Sequence, residues 1–266
     1  MKVKNANDGL KIDGFNSVVK IPKDMGFHEE PEFYGLHINA GYETKRGEIA
    51  SVERRSMSQM LRMFQYVQGI PGYRWCVAHM RLTVVSKDEQ QGREELAKSG
   101  PVFLTKLMKE VQRSIPRANL YYRWHLEWSE TAGYHFHVAI FFNSNQIQNT
   151  DAFMASFHKV KNSNPEYSFA TAQFICPDIA RIKQEEVKVY FLSNGLNLDS
   201  SKEYICLESE IEREFAFYWL SYMCKKHTKE KIIEEGKRIS GGSLLPGGER
   251  QCKRKRIIKS RRTELA

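Results

Sequence analysis

Apolar residues recur along this chain with two different periods, and the switches between them mark out its elements. Over residues 49–68, Met57, Met60, Leu61, Met63, Phe64 and Val67 return at helical spacing until Gly69, Pro71 and Gly72 interrupt the pattern. That predicts a helix closed by a turn. Residues 74–85 (RWCVAHMRLTVV) are rich in β-formers and predict a strand, and 93–114 predict a helix stopped by Pro116. Residues 120–128 (LYYRWHLEW) and 134–142 (YHFHVAIFF) are two strand-like runs joined by the five residues 129–133, which include Gly133. An antiparallel hairpin follows. Beyond it the pattern predicts a helix over 151–160, strands over 167–175 and 187–192, and one long helix from Glu208 to about Lys231. Strand-helix-strand-strand-helix-strand order places the chain in the α+β class, an antiparallel sheet with helices packed on it.

The flanks read differently. Residues 1–48 mix Gly, Asn, Asp and Pro with few periodic apolar positions and are expected to form an irregular N-terminal arm without assigned chemistry. Residues 49–240 are expected to form one catalytic domain. Residues 241–266, entered through GGSLLPGG and containing KRKRIIKSRR, read as a flexible basic tail.

Composition sharpens this outline. With 41% hydrophobic and 27% charged residues among 266, the chain has the material for a sizeable core and is not disordered. No run approaches the roughly 20 apolar residues of a membrane helix, and the start MKVKNANDGL lacks the apolar centre of a signal peptide. A cytoplasmic protein that does not engage a membrane is expected. Cys76, Cys176, Cys206, Cys224 and Cys252 have no zinc-finger spacing, which in that compartment favours free thiols. The net charge of +9 is segregated: residues 225–262 hold 14 Lys/Arg against 4 Asp/Glu, whereas residues 1–224 hold 27 of each. A basic block of this kind marks an interaction tail, with nucleic acid the foremost acidic partner.

The sharpest chemical signal is Tyr134-His135-Phe136-His137-Val138. Side chains alternate on a strand, so His135 and His137 project from one face while Phe136 and Val138 pack on the other. Glu127 on the preceding strand can be brought beside them by hairpin closure. Two neutral imidazoles and a carboxylate suit a divalent ion with open positions, Mg²⁺ or Mn²⁺ in phosphoryl transfer. His125 shares the face of Glu127 and reads as a surface histidine, with support of Glu127 as its alternative role. On the predicted long helix, Tyr222 and Lys225 stand at i and i+3, where an ammonium can favour phenolate and grip the phosphate it attacks. Tyr218, one turn earlier within a bulky apolar run, is the competing phenol. Burial is expected to raise its pKa, and the neighbouring ammonium to lower that of Tyr222.

His135-Phe136-His137 followed at a distance by Tyr222-Met223-Cys224-Lys225 resembles the HUH endonucleases, and more narrowly the inovirus (filamentous-phage) gene-2-type replication initiators and their prophage relatives. Residues 73–85 are similar to that family's first strand, 122–143 to its metal hairpin and 222–231 to its tyrosine motif, so the resemblance covers about residues 70–240. It implies an RRM/ferredoxin-like HUH fold and a metal held by His135, His137 and Glu127. It further implies that Tyr222 becomes linked to a 5′ phosphate of single-stranded or extruded origin DNA, leaving a free 3′ hydroxyl for a host polymerase. Nothing resembles GxxxxGK[ST], so unwinding would fall to a host helicase. Other readings remain at this stage: a single-strand binder on an RRM-like sheet, a non-haem Fe(II) oxygenase using the same His/His/Glu set, and a single-tyrosine transposase or plasmid relaxase.

Overall fold

The structure, a computed structural model, describes residues 15–16, 19–22, 26–45, 47–84, 89–116, 118–168, 170–226 and 228–245, with the side chains of 89–93 outside that description. Most of the expected N-terminal arm before residue 26, and the expected tail 241–266 from residue 246 onward with Cys252, therefore lie outside the described residues; the first residues of that tail, Gly241 and Gly242, are not a flexible arm but pair as a strand with Trp124 and Arg123.

The chain begins with four two-residue strands, β1 (Phe27–His28), β2 (Glu32–Phe33), β3 (Leu36–His37) and β4 (Val52–Glu53), paired as β1-β4 and β2-β3. Helix α1 (Arg54–Gln68) starts five residues later than the periodicity predicts, because the buried Glu53 carboxylate accepts from the amides of Arg55 and Ser56, each at 2.8 Å, and sets the N-terminus there. Then follow β5 (Trp75–Val84), α2 (Glu89–Ser114), β6 (Leu120–Ser129), β7 (Gly133–Asn143), α3 (Asp151–Asn162) and β8 (Ala170–Ile175). The chain continues with α4 (Glu185–Ser193), β9 (Tyr204–Cys206), α5 (Glu210–Ser221), α6 (Glu230–Glu234) and β10 (Ser240–Gly242).

Six of these strands make one antiparallel sheet in the order β10-β6-β7-β5-β8, with β9 sharing the outer edge of β5. Between β5 and β8 the chain runs strand-helix-strand-strand-helix-strand, the expected α+β layout. Strict alternation divides each strand between two cores. Cys76, Ala78, Met80 and Leu82 of β5 and Phe136, Val138, Ile140 and Phe142 of β7 pack under α2 and α3. Trp75 and Val77 with Ala139 and Phe141 face the other way, onto Phe64 of α1 and Phe217 of α5. Burying one such phenylalanine contributes roughly 1.5–3 kcal/mol.

Three expectations change. Residues 187–192 form α4 rather than a strand: Glu185 and Glu186 favour the N-terminus of a helix, and Val187 and Phe191, one turn apart, share its buried face while Val189 and Leu192 stay exposed. The long helix from Glu208 to about Lys231 does not form. Helix α5 stops at Ser221, residues 222–224 make a single 3₁₀ turn, and Lys225 bridges to Val52 of β4 with the Lys226 amide on the Ser51 carbonyl at 2.9 Å. Tertiary pairing wins over helix continuation. Finally, the segment expected to be an irregular arm carries the short strands β1, β2 and β3 and is not peripheral, since Phe33, Leu36, Ile38 and Ala40 enter the core beside α4 and α5.

Candidate metal centre and nucleophile

The β6-β7 hairpin builds the centre. A three-residue loop, 130–132, leads into Gly133 at φ 61°, a left-handed conformation that glycine takes without steric cost, and the register then sets Glu127 opposite His135 and His125 opposite His137. Glu127, His135 and His137 are all buried, and one ligand atom from each lies within 4.8 Å of the others. Glu127 Oε2 is 3.4 Å from His137 Nε2 and 3.8 Å from His135 Nε2.

The surroundings prepare both imidazoles as ligands. Burial is the leading cause that lowers the pKa of His135 and, further, that of His137, which keeps them neutral with a lone pair to offer. His135 Nδ1 donates to the Gly133 carbonyl at 3.0 Å and so leaves Nε2 free. His137 Nδ1 meets Nε2 of His79 at 2.7 Å. For His137 Nε2 to be the ligand atom, its Nδ1–H must donate to His79, which then carries its own proton on Nδ1. The donor set thus fits a divalent ion, and a buried Glu-His-His group of this kind can hold one.

Two residues of this centre escaped the sequence reading. His79, in the middle of β5, reads as one polar interruption in an apolar strand; only the pairing of β5 with β7 puts it on the face of His137. Lys229 is completely buried, its ammonium donating to Glu127 Oε1 at 3.2 Å and to the Leu126 carbonyl at 3.0 Å. Its reach depends on the chain after residue 226 folding back along β6, where the Trp128 amide donates to the Thr228 carbonyl. Lysine occupies Oε1 and leaves Oε2 directed at the histidines. His125 is corrected outright: it is fully buried rather than on the surface, and neither ring nitrogen has a hydrogen-bond partner among the described residues. Burial, with Lys229 next, holds its pKa well below the usual histidine range.

Tyr222 reaches the same place from the 3₁₀ turn that follows α5, not from the helix on which it was expected. Its ring lies 5.8 Å from that of His137, centroid to centroid, and it is 39% exposed. The Lys225 ammonium stands 3.9 Å over the ring face rather than at the phenol oxygen. The expected lowering of the Tyr222 pKa is accordingly absent: burial, then the Glu127 carboxylate, raises it, while burial brings Lys225 down to about 8. Tyr218 is raised too, so the two phenols do not move in opposite directions. They differ in access, for Tyr218 is 2% exposed and donates to Gln184 Oε1 at 3.0 Å.

The Glu127-His135-His137 group, His79, Tyr222 and Lys225 line one cleft of about 920 Å³. Its walls carry Arg81, Arg181 and Lys183 together with Trp128 and Trp219, and Tyr42 and Lys45 close it from the N-terminal segment to which no chemistry was assigned. No family model, curated protein or solved structure matches this chain.

Proposed function

We propose that this chain is a metal-dependent, tyrosine-using DNA endonuclease of HUH type that starts rolling-circle replication of a phage-like replicon by nicking single-stranded or extruded origin DNA. The observation that carries the reading is the convergence of Tyr222, 5.8 Å from His137 between ring centroids, on the Glu127-His135-His137 group inside a cleft walled by cations and aromatics. The 2-3-1-4 order of β6-β7-β5-β8, with β5 counted as the first strand, is that of RRM/ferredoxin-like sheets and agrees with it. An Fe(II) oxygenase would share the ligand set but gives no role to Tyr222 or the cationic walls.

In this reading Glu127, His135 and His137 hold Mg²⁺ or Mn²⁺, which when bound supplies charge stabilisation to the non-bridging oxygens of the scissile phosphate. Arg81 and Lys225 bind the phosphate, and Trp128 and Trp219 offer faces on which bases stack. The Tyr222 oxygen attacks phosphorus as its proton passes to solvent, a phosphotyrosine bond forms, and the bond to the 3′ oxygen breaks, that oxygen taking up a proton from solvent to leave a free 3′ hydroxyl. Lys225 fixes the attacking ring from its face. A host polymerase and helicase are the proposed partners, in the cytoplasm of a bacterial host; among the described residues no helix is long and apolar enough to cross a membrane.

Labelled single-stranded DNA incubated with the protein and Mn²⁺ is expected to yield an adduct that survives denaturation. Tyr222→Phe should eliminate it and Tyr218→Phe retain it. Peptide mapping of the adduct to another residue, or no adduct across a panel of candidate origin sequences, would overturn the proposal.

A further inference from the structure

Away from the cleft, Cys76 of β5 and Cys206 of β9 are direct partners across an antiparallel pair, with sulfurs 3.2 Å apart. Opposed residues in such a ladder have Cα separations of about 4.5–5.5 Å, inside the range of about 4.4–6.8 Å that a disulfide spans. Cys76 is wholly buried and Cys206 half-buried, so one sulfur is accessible to a small oxidant and the other is held behind it. Asymmetry of this kind gives the two thiols different roles. Cys76 donates its S–H to Cys206, which against burial and the Glu212 and Glu208 carboxylates, and with help from Lys202, lowers the Cys206 thiol to about 7, while the Cys76 thiol is raised.

We propose that Cys76 and Cys206 are a peroxide-sensitive thiol pair that closes to a reversible cross-strand disulfide. The Cys206 thiolate attacks one peroxide oxygen, giving a sulfenic acid, and the other oxygen departs as water. The Cys76 sulfur then attacks the sulfenic sulfur, its proton leaves with the hydroxyl as a second water, and the S–S bond forms. Two thiols and one hydrogen peroxide give one disulfide and two waters, so atoms and electrons balance. The bond ties β9, which feeds into α5 and hence towards Tyr222, to the strand that carries His79. This inference stands apart from the endonuclease reading and survives its failure.

The test uses the full chain, reduced, freed of reductant, titrated with hydrogen peroxide, then denatured, alkylated and mapped by mass spectrometry. Cys76 and Cys206 are expected to leave the alkylatable pool together, in equal amounts, as one cross-linked peptide pair lighter by two hydrogens and restored by dithiothreitol. In Cys76→Ser the sulfenic acid should persist on Cys206 and be trapped by dimedone, and in Cys206→Ser the Cys76 thiol should stay reduced at the same dose. Oxidation of Cys206 to sulfinic acid in the wild-type chain with Cys76 still reduced, or cross-links that run to Cys176 or Cys252 instead, would overturn the proposal.

Discussion

At the scale of single residues, the centre rests on a buried charge pair whose partners are not equally visible. Lys229 and Glu127 are 0% and 1% exposed at the side chain and 3.2 Å apart. Removing one partner of such a pair leaves the other uncompensated and costs about 3–5 kcal/mol. Lys229→Met is therefore expected to lower stability by that order in metal-free buffer, measured by denaturant unfolding, with part of the loss recovered when Mn²⁺ supplies Glu127 with another cation. His137→Ala should remove the Mn²⁺-dependent recovery from the double variant. Lys225 gives the pH-dependent case. Its folded pKa of about 8 lies below its ordinary value of 10.5, so below pH 8 both states hold the proton and the burial cost is fully present. Between about 8 and 10.5 the folded state releases its proton first and the cost fades, although the Tyr222 ring face offsets part of it throughout. Lys225→Met should therefore raise the Tm at pH 7, and its advantage over wild type should shrink as the pH is taken to 10. A constant advantage across that range would exclude this account of Lys225.

At the scale of elements, the central strands were legible because long runs of β-formers mark them, whereas the same signal misassigned 187–192, which lies in α4, and the three-residue strands β9 and β10 were too short to show. Runs such as 74–85 and 134–142 alternate between two buried faces, and the observed β5 and β7 end within one residue of those limits. Helix ends were legible where they are local, as at Gln68 before Gly69, at Ser114 before Pro116 and at Asp151; the start of α1, set by the Glu53 carboxylate, and the end of α5, followed by the Val52-Lys225 bridge, were not. Close approach of α2 to the sheet is another such contact. A Cβ on Gly100 would meet the Phe136 ring at 2.3 Å. Alanine is favoured over glycine within a helix by about 1 kcal/mol, but overpacking a filled core costs about 1–3 kcal/mol. Phe136 is fully buried with Trp124 at its edge, 5.3 Å between centroids, and has nowhere to move. Gly100→Ala is thus expected to destabilise in thermal melts despite its helix propensity, and a gain in Tm would mean that α2 can slide outward.

For the molecule as a whole, charge is segregated along the chain: residues 1–224 are balanced at 27 Lys/Arg and 27 Asp/Glu, and the basic excess begins at Lys225, with eight of its 14 Lys/Arg in residues 250–262. Truncation after Gly248 should weaken binding to single-stranded DNA and flatten its salt dependence, since fewer counterions are released. Adduct formation with a short oligonucleotide at saturation should survive; an unchanged salt slope would show the basic block to be a solvated surface without a nucleic-acid role. The α+β class, the hairpin and the shared face of His135 and His137 could be read from the chain alone, because strand alternation is a local property with a period of two. So could the chance for Glu127 to join them, since a short hairpin loop leaves few registers. That His79 backs His137, that Lys229 occupies one oxygen of Glu127, and that Lys225 lies over the ring of Tyr222 rather than at its oxygen came only with the folded chain. The first two join residues brought together by strand order and by the return of the chain along β6, over separations at which no local period carries information; the third joins residues three apart, and the end of α5 at Ser221 decides which of their atoms meet.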